Sequence, residues 1–409
     1  MKDKGYMKKS KDILFLCQFF YPEYVSSATL PYDTAVALKN AGYTVDALCG
    51  YPREYTADTK IPRKESVDGI RIKRVKYVQM GRKSFLGRLV NYFSFTFTMM
   101  LHLFEMAKYR AVVVYSNPPI LPWVASWAKL LFKVKLVFVA YDLYPEIATK
   151  TETLREGNII CRLMDHINKC VYRRADSVVA LSEEMREYII AHREINPDRV
   201  HVIHNWYEDK QIKGNEAEEN SFSELTKGRF VVSYFGNMGT AQDMETILEA
   251  MCILKDDPDV CFLFAGHGNK LAQLKQAVEE KNLQNVYVFE FLHGKEFQDA
   301  LRISSCALVS LTEGLTGLCV PSKTYSYMMQ GLPLLAVMDE SDIVSDIESG
   351  AGMWVRNGDS GKLAECVRLM KNDSGALAKM RQTCREIYLE NYTTEICTKE
   401  YVHLFEKLL

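Results

Sequence analysis

Several absences narrow this 409-residue chain before any motif is read. Its eleven cysteines are scattered singly, with no C-x-x-C and no ligand-like pairing with histidine. That pattern excludes a disulfide framework and a zinc site, and it fits reduced thiols in a cytosol. The opening, Met1 to Lys11, is polar and basic, and the apolar run after it is only strand length, so no signal peptide is expected. Neither sign of charge dominates, since 51 Lys+Arg stand against 52 Asp+Glu for a net charge of −1. No nucleic-acid-binding module is recognisable, and nucleic acid is not an expected partner. No long run is free of polar groups either. The most apolar stretch, 89–107, carries Asn91, Ser94, Thr98, His102 and Glu105 on one narrow stripe, too many polar groups for a spanning helix.

What is present is ordinary soluble composition, 48% hydrophobic and 25% charged, in a chain long for one core. Two domains are expected. The near-neutral total hides a division. Residues 1–205 hold 31 Lys+Arg against 21 Asp+Glu, and the remainder holds 20 against 31. Such asymmetry points to one half meeting an anionic surface, and with nucleic acid set aside that surface is a membrane leaflet. The 89–107 stretch is apolar around the rest of its circumference (Leu89, Phe93, Phe97, Met100, Phe104, and also Tyr92, Phe95, Met99, Leu103) behind Arg82, Lys83 and Arg88. It reads either as a helix that grazes a bilayer or as a buried domain helix. Trp123 and Trp127, with Lys129, Lys133 and Lys135 nearby, tilt the choice toward the membrane. The expected location is the cytoplasm, peripherally on the inner face of the cell membrane.

Short apolar runs alternate with helical patterns, the rhythm of βαβ units in a doubly wound parallel sheet. Strands are expected at Ile13–Cys17, Thr44–Cys49, Ile70–Val75, Ala111–Tyr115, Leu136–Ala140, Ser177–Leu181 and Val200–Ile203. Glu208 to Lys227 breaks the rhythm with Gly214, acidic residues and little apolar pattern. The rhythm then restarts with strands at Phe230–Phe235, Cys261–Ala265, Val286–Phe289, Ala307–Leu311 and Leu334–Val337. The expected division is a Rossmann-like domain at 1–207, a linker at 208–228, a second Rossmann-like domain at 229–390, and a C-terminal helix at 391–409 packing back on the first domain. The fold class is α/β, two Rossmann-like doubly wound domains facing a central cleft.

Ligands of open α/β sheets bind beyond the carboxyl ends of the strands. The most informative segment there is Val320-Pro321-Ser322-Lys323 through Gly331-Leu332-Pro333. Pro321 suits a first helical position and Gly331 a helix stop, so Lys323 falls where helix-terminal N–H groups favour an anion. A phosphate or diphosphate is the natural ligand, and a capped helix with a surface lysine is the plain alternative. Gly236-Asn237-Met238-Gly239-Thr240-Ala241-Gln242 joins a strand to a helix. Its glycines permit close backbone approach to an anion, while Asn237, Thr240 and Gln242 add uncharged hydrogen-bonding groups. Gly266-His267-Gly268 reads as a structural turn before it reads as a ligand contact. Glu313, followed by Gly314 and Gly317, stands as a sugar-binding carboxylate or as a solvated loop residue. In the first half, Pro22, Ser26 and Ser27 follow the first strand. Asp142 and Glu146 follow another, Asp142 to orient an acceptor hydroxyl and Glu146 to support it, with helix capping as the alternative for either. His204 reads as structural.

Together these loops resemble retaining glycosyltransferases of family 4, with the GT-B fold, and most closely the bacterial N-acetylfucosamine transferase-like branch of surface polysaccharide assembly. The matching features are Phe-Tyr-Pro-Glu at 20–23, Asp-Leu-Tyr-Pro-Glu at 142–146 and Asn-Trp at 205–206. Gly-Asn-Met-Gly-Thr-Ala-Gln at 236–242 and Val-Pro-Ser-Lys-Thr-Tyr through Gly331 complete the set, in the family's order. The resemblance implies a nucleotide-sugar donor, expected to be a UDP-sugar, and a lipid-linked diphosphate sugar or oligosaccharide acceptor. It implies a capsule, O-antigen or exopolysaccharide product, and neither cofactor nor metal ion. Lys323, Asp142 and Glu313 would be catalytic. Gly236, Asn237, Gly239, Thr240, Gln242, Gly317, Leu318, Cys319, Val320, Ser322, Tyr325 and Ser326 would bind the donor, and Pro22, Ser26, Ser27 and Glu146 would lie on the acceptor side. The chain departs from the family at the two customary glutamates, whose places hold Leu318 and Ser326. It also has no Arg or Lys at 237–242, Tyr141 for the usual histidine, and Val25-Ser26-Ser27 for the usual double glycine. The other readings are a nucleotide-sugar epimerase and a non-catalytic sugar-nucleotide binder.

Overall fold

The computed structural model describes residues 9–52, 56, 60–81, 85–211 and 220–409. The chain forms two compact units. The first runs to Asn205 and takes in Gly317–Val320 and Glu395–Leu409, and the second is Trp206–Thr316 with Pro321–Thr394.

In the first unit the strands are β1 Lys11–Cys17, β2 Val45–Gly50, β3 Lys64–Val67, β4 Ile70–Val75, β5 Tyr109–Tyr115, β6 Lys135–Val139, β7 Ser177–Ala180 and β8 Val200–Val202. Their order is β3-β4-β2-β1-β5-β6-β7-β8. Ala111, Val112, Val113 and Val114 of β5 are all fully buried, which explains an apolar run without alternation: helices cover both faces of a parallel sheet. Only β3 runs antiparallel. It was not expected, because Lys64–Val67 alternates exposed and half-buried residues and has no apolar run. Its signal was the turn that follows, Asp68-Gly69, where both residues have positive φ (50° and 79°), as a two-residue hairpin requires.

The second unit holds β9 Phe230–Asn237, β10 Val260–His267, β11 Val286–Phe289, β12 Cys306–Ser310, β13 Leu334–Val337 and β14 Gly352–Val355. The order is β11-β10-β9-β12-β13-β14, with every pairing parallel. Its core packs Val232, Phe264, Leu308 and Val337 from the sheet against Ile247, Met251 and Val367 from the helices. The sequence reading had no strand at β14. It opens on Gly352, where an added Cβ would meet the Leu334 carbonyl oxygen at 1.9 Å, so the strand pairs with β13 only because that side chain is missing.

Strand order reverses at β1/β5 in one sheet and at β9/β12 in the other, and the loops at these switch points carry the motifs. Of the expected linker, 212–219, and Gly214 with it, lies outside the described residues. From Asn220 the chain is folded into the second unit: Asn220 donates to the Asp299 carbonyl, the Ser221 hydroxyl donates to the Asp299 carboxylate at 2.7 Å, and a short helix Ser223–Thr226 follows. At the C-terminus, helix Thr394–Leu408 places Phe405 beside Tyr43, and Arg110 donates to the Leu409 carbonyl.

Candidate active site

In the second unit the site is built on Lys323. Helix Lys323–Gln330 begins there, so Ser322 is the cap and Pro321 lies just ahead of it rather than in the first turn. Gly331 ends the helix at φ 71°. The Lys323 amine sits 3.4 Å from the centre of the Tyr234 ring and donates, at a long 3.4 Å, to the Asn237 carbonyl. The Tyr234 hydroxyl donates to the same carbonyl at 2.8 Å. Burial pushes the Lys323 pKa well below the usual lysine range, and no carboxylate pairs with it among the described residues. His267, at the end of β10, has its pKa lowered by burial and by the positive charge of Lys323. Tyr327, one turn along the helix, locks the lysine to β9, since its hydroxyl accepts from Phe235 N–H at 2.6 Å and donates to Phe235 C=O at 3.1 Å.

The glycines of this region serve close approach of backbone to backbone. Gly236 has φ 126°, Gly266 155° and Gly268 128°. An added Cβ on Gly266 would meet the Gly236 oxygen at 1.9 Å, and one on Gly268 would meet the Met238 oxygen at 2.3 Å. Gly266-His267-Gly268 is therefore a structural turn that also delivers His267 to Lys323. The Gly239 N–H donates at 2.8 Å to the buried Gln242 side chain, so both close their own turn. Lys270 reaches the Gln242 carbonyl at 2.8 Å, bringing to this loop a cation that its own sequence lacks. Asn237 and Thr240 are exposed at the same end of the sheet, and the Thr312 hydroxyl ties Thr240 to the β12 loop at 3.2 Å.

Tyr325 is 2% exposed, its ring edge-on to Tyr392, and so belongs to the core. The Ser326 hydroxyl donates to the Lys323 carbonyl at 2.8 Å within its own helix. Glu313 is exposed, and the carboxylate holding its loop is Asp339, which accepts from Gly314 N–H at 2.8 Å.

The first unit gathers the other half of the candidates. Ser116, just past β5, accepts from the N–H groups of Tyr141 and Asp142 at 2.9 and 3.1 Å and so sets the turn that presents Asp142. Asp142 makes an antiparallel bridge with Cys319, and Leu143 N–H donates to Leu318 C=O at 2.9 Å. Burial raises the Asp142 carboxyl to about 6. The Leu318 side chain is buried, so this residue of the expected donor cradle contributes packing, and its carbonyl accepts from Leu143 N–H. Gly317, at φ 79°, passes close to Glu184, and Val320 is half-buried. Glu146 does not support Asp142. It begins helix Glu146–Lys150 and pairs with the nearly buried Arg193 at 2.6 Å, as burial of a carboxylate demands.

After β1, Ser26 and Ser27 open helix Ser26–Asn40. The loop before them is pinned by Arg74, which is fully buried and donates to the Tyr21 carbonyl at 2.7 Å and the Pro62 carbonyl at 2.8 Å. Pro22 follows a cis bond, and Glu23 accepts from Phe20 N–H. His204 bonds the Leu181 carbonyl at 3.1 Å. Sequence reasoning passed over Arg74, Ser116, Tyr234, Tyr327 and Asp339. The signal for Tyr327 was its spacing of four from Lys323, which puts both on one helix face. The sequence also holds an Asp-x-Asp stretch, Asp257-Pro258-Asp259, which was overlooked. Its Asp257 carboxylate is bound by Lys371 at 2.9 Å and caps Asp259 N–H. Among the described residues no group of three or more His, Cys, Asp or Glu could hold a metal ion.

Two family descriptions cover most of the chain: "Glycosyl transferase 4-like domain" matches residues 28–206 and "Glycosyl transferases group 1" matches 229–373. The chain belongs to the group 1 glycosyltransferases and has the GT-B fold. It is an enzyme of the transferase class. A Pseudomonas aeruginosa protein named as a glycosyltransferase, WbjE, is 27% identical over 340 residues, 82% of this chain and 84% of that one. WcaI of Escherichia coli K12, named for colanic acid biosynthesis, is 22% identical over 61% of this chain and 62% of its own. Among solved structures, HepE of Anabaena in complex with UDP and glucose superposes with a TM-score of 0.72 at 14% identity, covering 97% of this chain and all of that one. WaaG, a glycosyltransferase of lipopolysaccharide biosynthesis, gives 0.68 at 12% identity over 96% of this chain and 99% of its own.

Proposed function

We propose that this enzyme transfers a sugar from a UDP-sugar to a lipid-linked diphosphate sugar or oligosaccharide in the assembly of a cell-surface polysaccharide, at the inner face of the cell membrane. The second unit holds the donor and the first the acceptor. Lys323 carries the reading. An enclosed ammonium whose close neighbours are a tyrosine ring, a carbonyl and an imidazole is costly to keep without a counter-ion. A diphosphate supplies that counter-ion. Helix-terminal N–H groups beside the lysine add partial positive charge where the leaving group gains negative charge, the largest catalytic term in such a transfer. The lysine does the work otherwise given to a metal ion.

Asp142, with its carboxyl raised to about 6, orients the acceptor hydroxyl. A leaving phosphate oxygen takes the hydroxyl proton, and the sugar keeps its anomeric configuration. The complexes of HepE with UDP and with UDP-glucose, and the polysaccharide named for WcaI, support the donor class and the setting. The replacement of both customary glutamates by Leu318 and Ser326 keeps a non-catalytic binder as the second reading.

A nucleotide-sugar panel separates the readings. A donor should raise the melting temperature by mass action, and its consumption should require acceptor. Binding without consumption under any acceptor would establish the binder, consumption without acceptor an epimerase, and no binding would refute all three. Lys323→Ala should lower turnover by roughly 10²–10³-fold, and unchanged turnover at saturating donor would remove Lys323 from the mechanism.

A further inference from the structure

Helix Phe85–Leu101 and the 3₁₀ turn Leu103–Lys108 that follows bury a mixed face, in which Phe95, Met99 and Met106 lie fully buried beside polar residues, and leave a second apolar face outside. The polar stripe faces the protein. Asn91 is 3% exposed and bonds both the N–H and the C=O of Met80, at 2.7 and 2.9 Å. Ser94 donates to the Val78 carbonyl. Lys73 binds Glu105 at 2.6 Å, and His102 contacts the same carboxylate oxygen at 2.7 Å. The apolar stripe faces out: Phe97 is 66%, Leu101 68% and Phe104 72% exposed, with Leu86 and Phe93 in line before them. Spacings of seven, four, four and three residues put these five on one face. Phe104 packs against Phe132, which extends the ridge to exposed Leu130 and Leu131 on helix Pro122–Phe132.

An exposed apolar face of this extent marks an interaction site, and its charge surroundings select the partner. From Gly69 to Tyr141 the sequence has one acidic residue, Glu105, and that one is neutralised by Lys73. Exposed Arg88, Lys108 and Lys133 flank the ridge. The first described strand gathers the lysines at one end: Ser10 N–H donates to Lys108 C=O, and the Lys9 amine donates to Lys133 C=O at 2.7 Å. Lys9 lies near Lys129, Lys135 and Arg110, but Asp176 pairs with both of those lysines and Asp12 with Arg110, so the positive charge at this end of the ridge comes chiefly from Lys9, Lys108 and Lys133. Arg82 and Lys83, also expected to contribute, lie outside the described residues.

We infer that the ridge Phe93–Phe97–Leu101–Phe104, with Leu130 and Leu131 and the flanking lysines, docks on an anionic lipid bilayer by inserting its side chains into the interface. No described helix is long and apolar enough to cross a membrane, so the contact is interfacial. Phenylalanine and leucine enter the acyl boundary while the lysines stay at the headgroups. Docking would bring the enzyme to a lipid-linked acceptor. This use of the ridge rests on the proposed lipid-linked acceptor, whereas the docking itself does not.

Vesicle flotation tests it, using the full chain with phosphatidylcholine alone or mixed with phosphatidylglycerol, across a salt series. Wild type should float with the mixed vesicles and release as salt rises. The exposed double change Phe97→Ser/Phe104→Ser should lower partitioning about tenfold or more with an unchanged melting temperature. Lys108→Gln/Lys133→Gln should remove the preference for phosphatidylglycerol. Three results would overturn the inference: no flotation of wild type, equal flotation of the Ser pair, or a dimer in sedimentation that the Ser pair dissolves. Donor-induced stabilisation, measured on the same samples, reports on the transferase reading independently. Its presence without flotation would reject the docking alone, and flotation without it would reject the donor assignment alone.

Discussion

Replacing Lys323 by methionine should make the free protein more stable while it disables the enzyme. Methionine is unbranched and of similar length, so it can follow the path of the lysine over the Tyr234 ring. The lysine enjoys that ring, worth about 1–2 kcal/mol in a desolvated place, and one long hydrogen bond to Asn237, worth about 0.5 kcal/mol. Against these stands the desolvation of an ammonium with no carboxylate partner, on the order of several kcal/mol. The residue is half-buried and can shed its proton, so the lower end applies, and Lys323→Met should gain about 1–2 kcal/mol at neutral pH. In a unit of this size that is an upward shift of about 2–8 °C in calorimetry. The pH dependence carries the same signature. The folded-state pKa lies below the unfolded one, so between the two the unfolded chain binds more protons. Wild-type stability should rise relative to Lys323→Met as pH increases through that window. Urea titrations of both proteins across an alkaline pH series measure the difference. If Lys323→Met were the less stable at pH 7, with parallel pH profiles, the amine would not be an uncompensated charge awaiting an anion.

Tyr327→Phe leaves the buried Phe235 N–H without its acceptor and creates no cavity, so it should cost about 1–3 kcal/mol. A melting temperature unchanged within about 1 °C would show that the clamp between helix and β9 contributes nothing. Transfer should rise with pH through about 6 as Asp142 ionises, and Asp142→Asn should remove that inflection while donor-induced stabilisation persists. An inflection that survives Asp142→Asn belongs to another group. Turnover should continue in EDTA, and complete loss with rescue by Mg²⁺ or Mn²⁺ would displace Lys323 from its proposed role. Glu313→Gln should leave rate and donor preference unchanged, since the exposed carboxylate is not the one that holds its loop, and a changed preference would restore it as a sugar ligand.

Local pattern carried the strands well because parallel strands need uninterrupted apolar runs: Val286–Phe289 and Leu334–Val337 fall where expected. The two missed strands fail that criterion for physical reasons, one being a polar edge hairpin and the other beginning at a glycine. Among site residues, those whose role follows from position on an element were legible, and Lys323 at its helix start is the example. Those whose role depends on which hydrogen bond wins were not. Gln242 and Ser326 each have the chemistry to bind a ligand, yet each is held by a nearer partner, namely Gly239 N–H and the Lys323 carbonyl. A residue four or fewer positions away competes at high local concentration, so a short polar side chain near a turn should be assigned to its own backbone first.

The helix at 85–101 shows a second limit. Its periodicity fixes that one face is polar and the other apolar, but a moment has no knowledge of which way the protein lies. Apolar residues lie on two sides of the helix: Phe95 and Met99 are buried beside Asn91, which bonds Met80, while Phe97 and Leu101 are left outward. The sequence did carry one cue to the buried polar stripe. The polar stripe is made of Asn, Ser, Thr and His, which bond backbone and side chains at short range, while long charged side chains, the usual solvent-facing kind, are nearly absent from it. A stripe of short amides and hydroxyls opposite a stripe of phenylalanines is the composition of a helix whose polar side meets protein. In a chain whose positive charge is concentrated in the same half, the outward phenylalanines are what the proposed docking on lipid rests on.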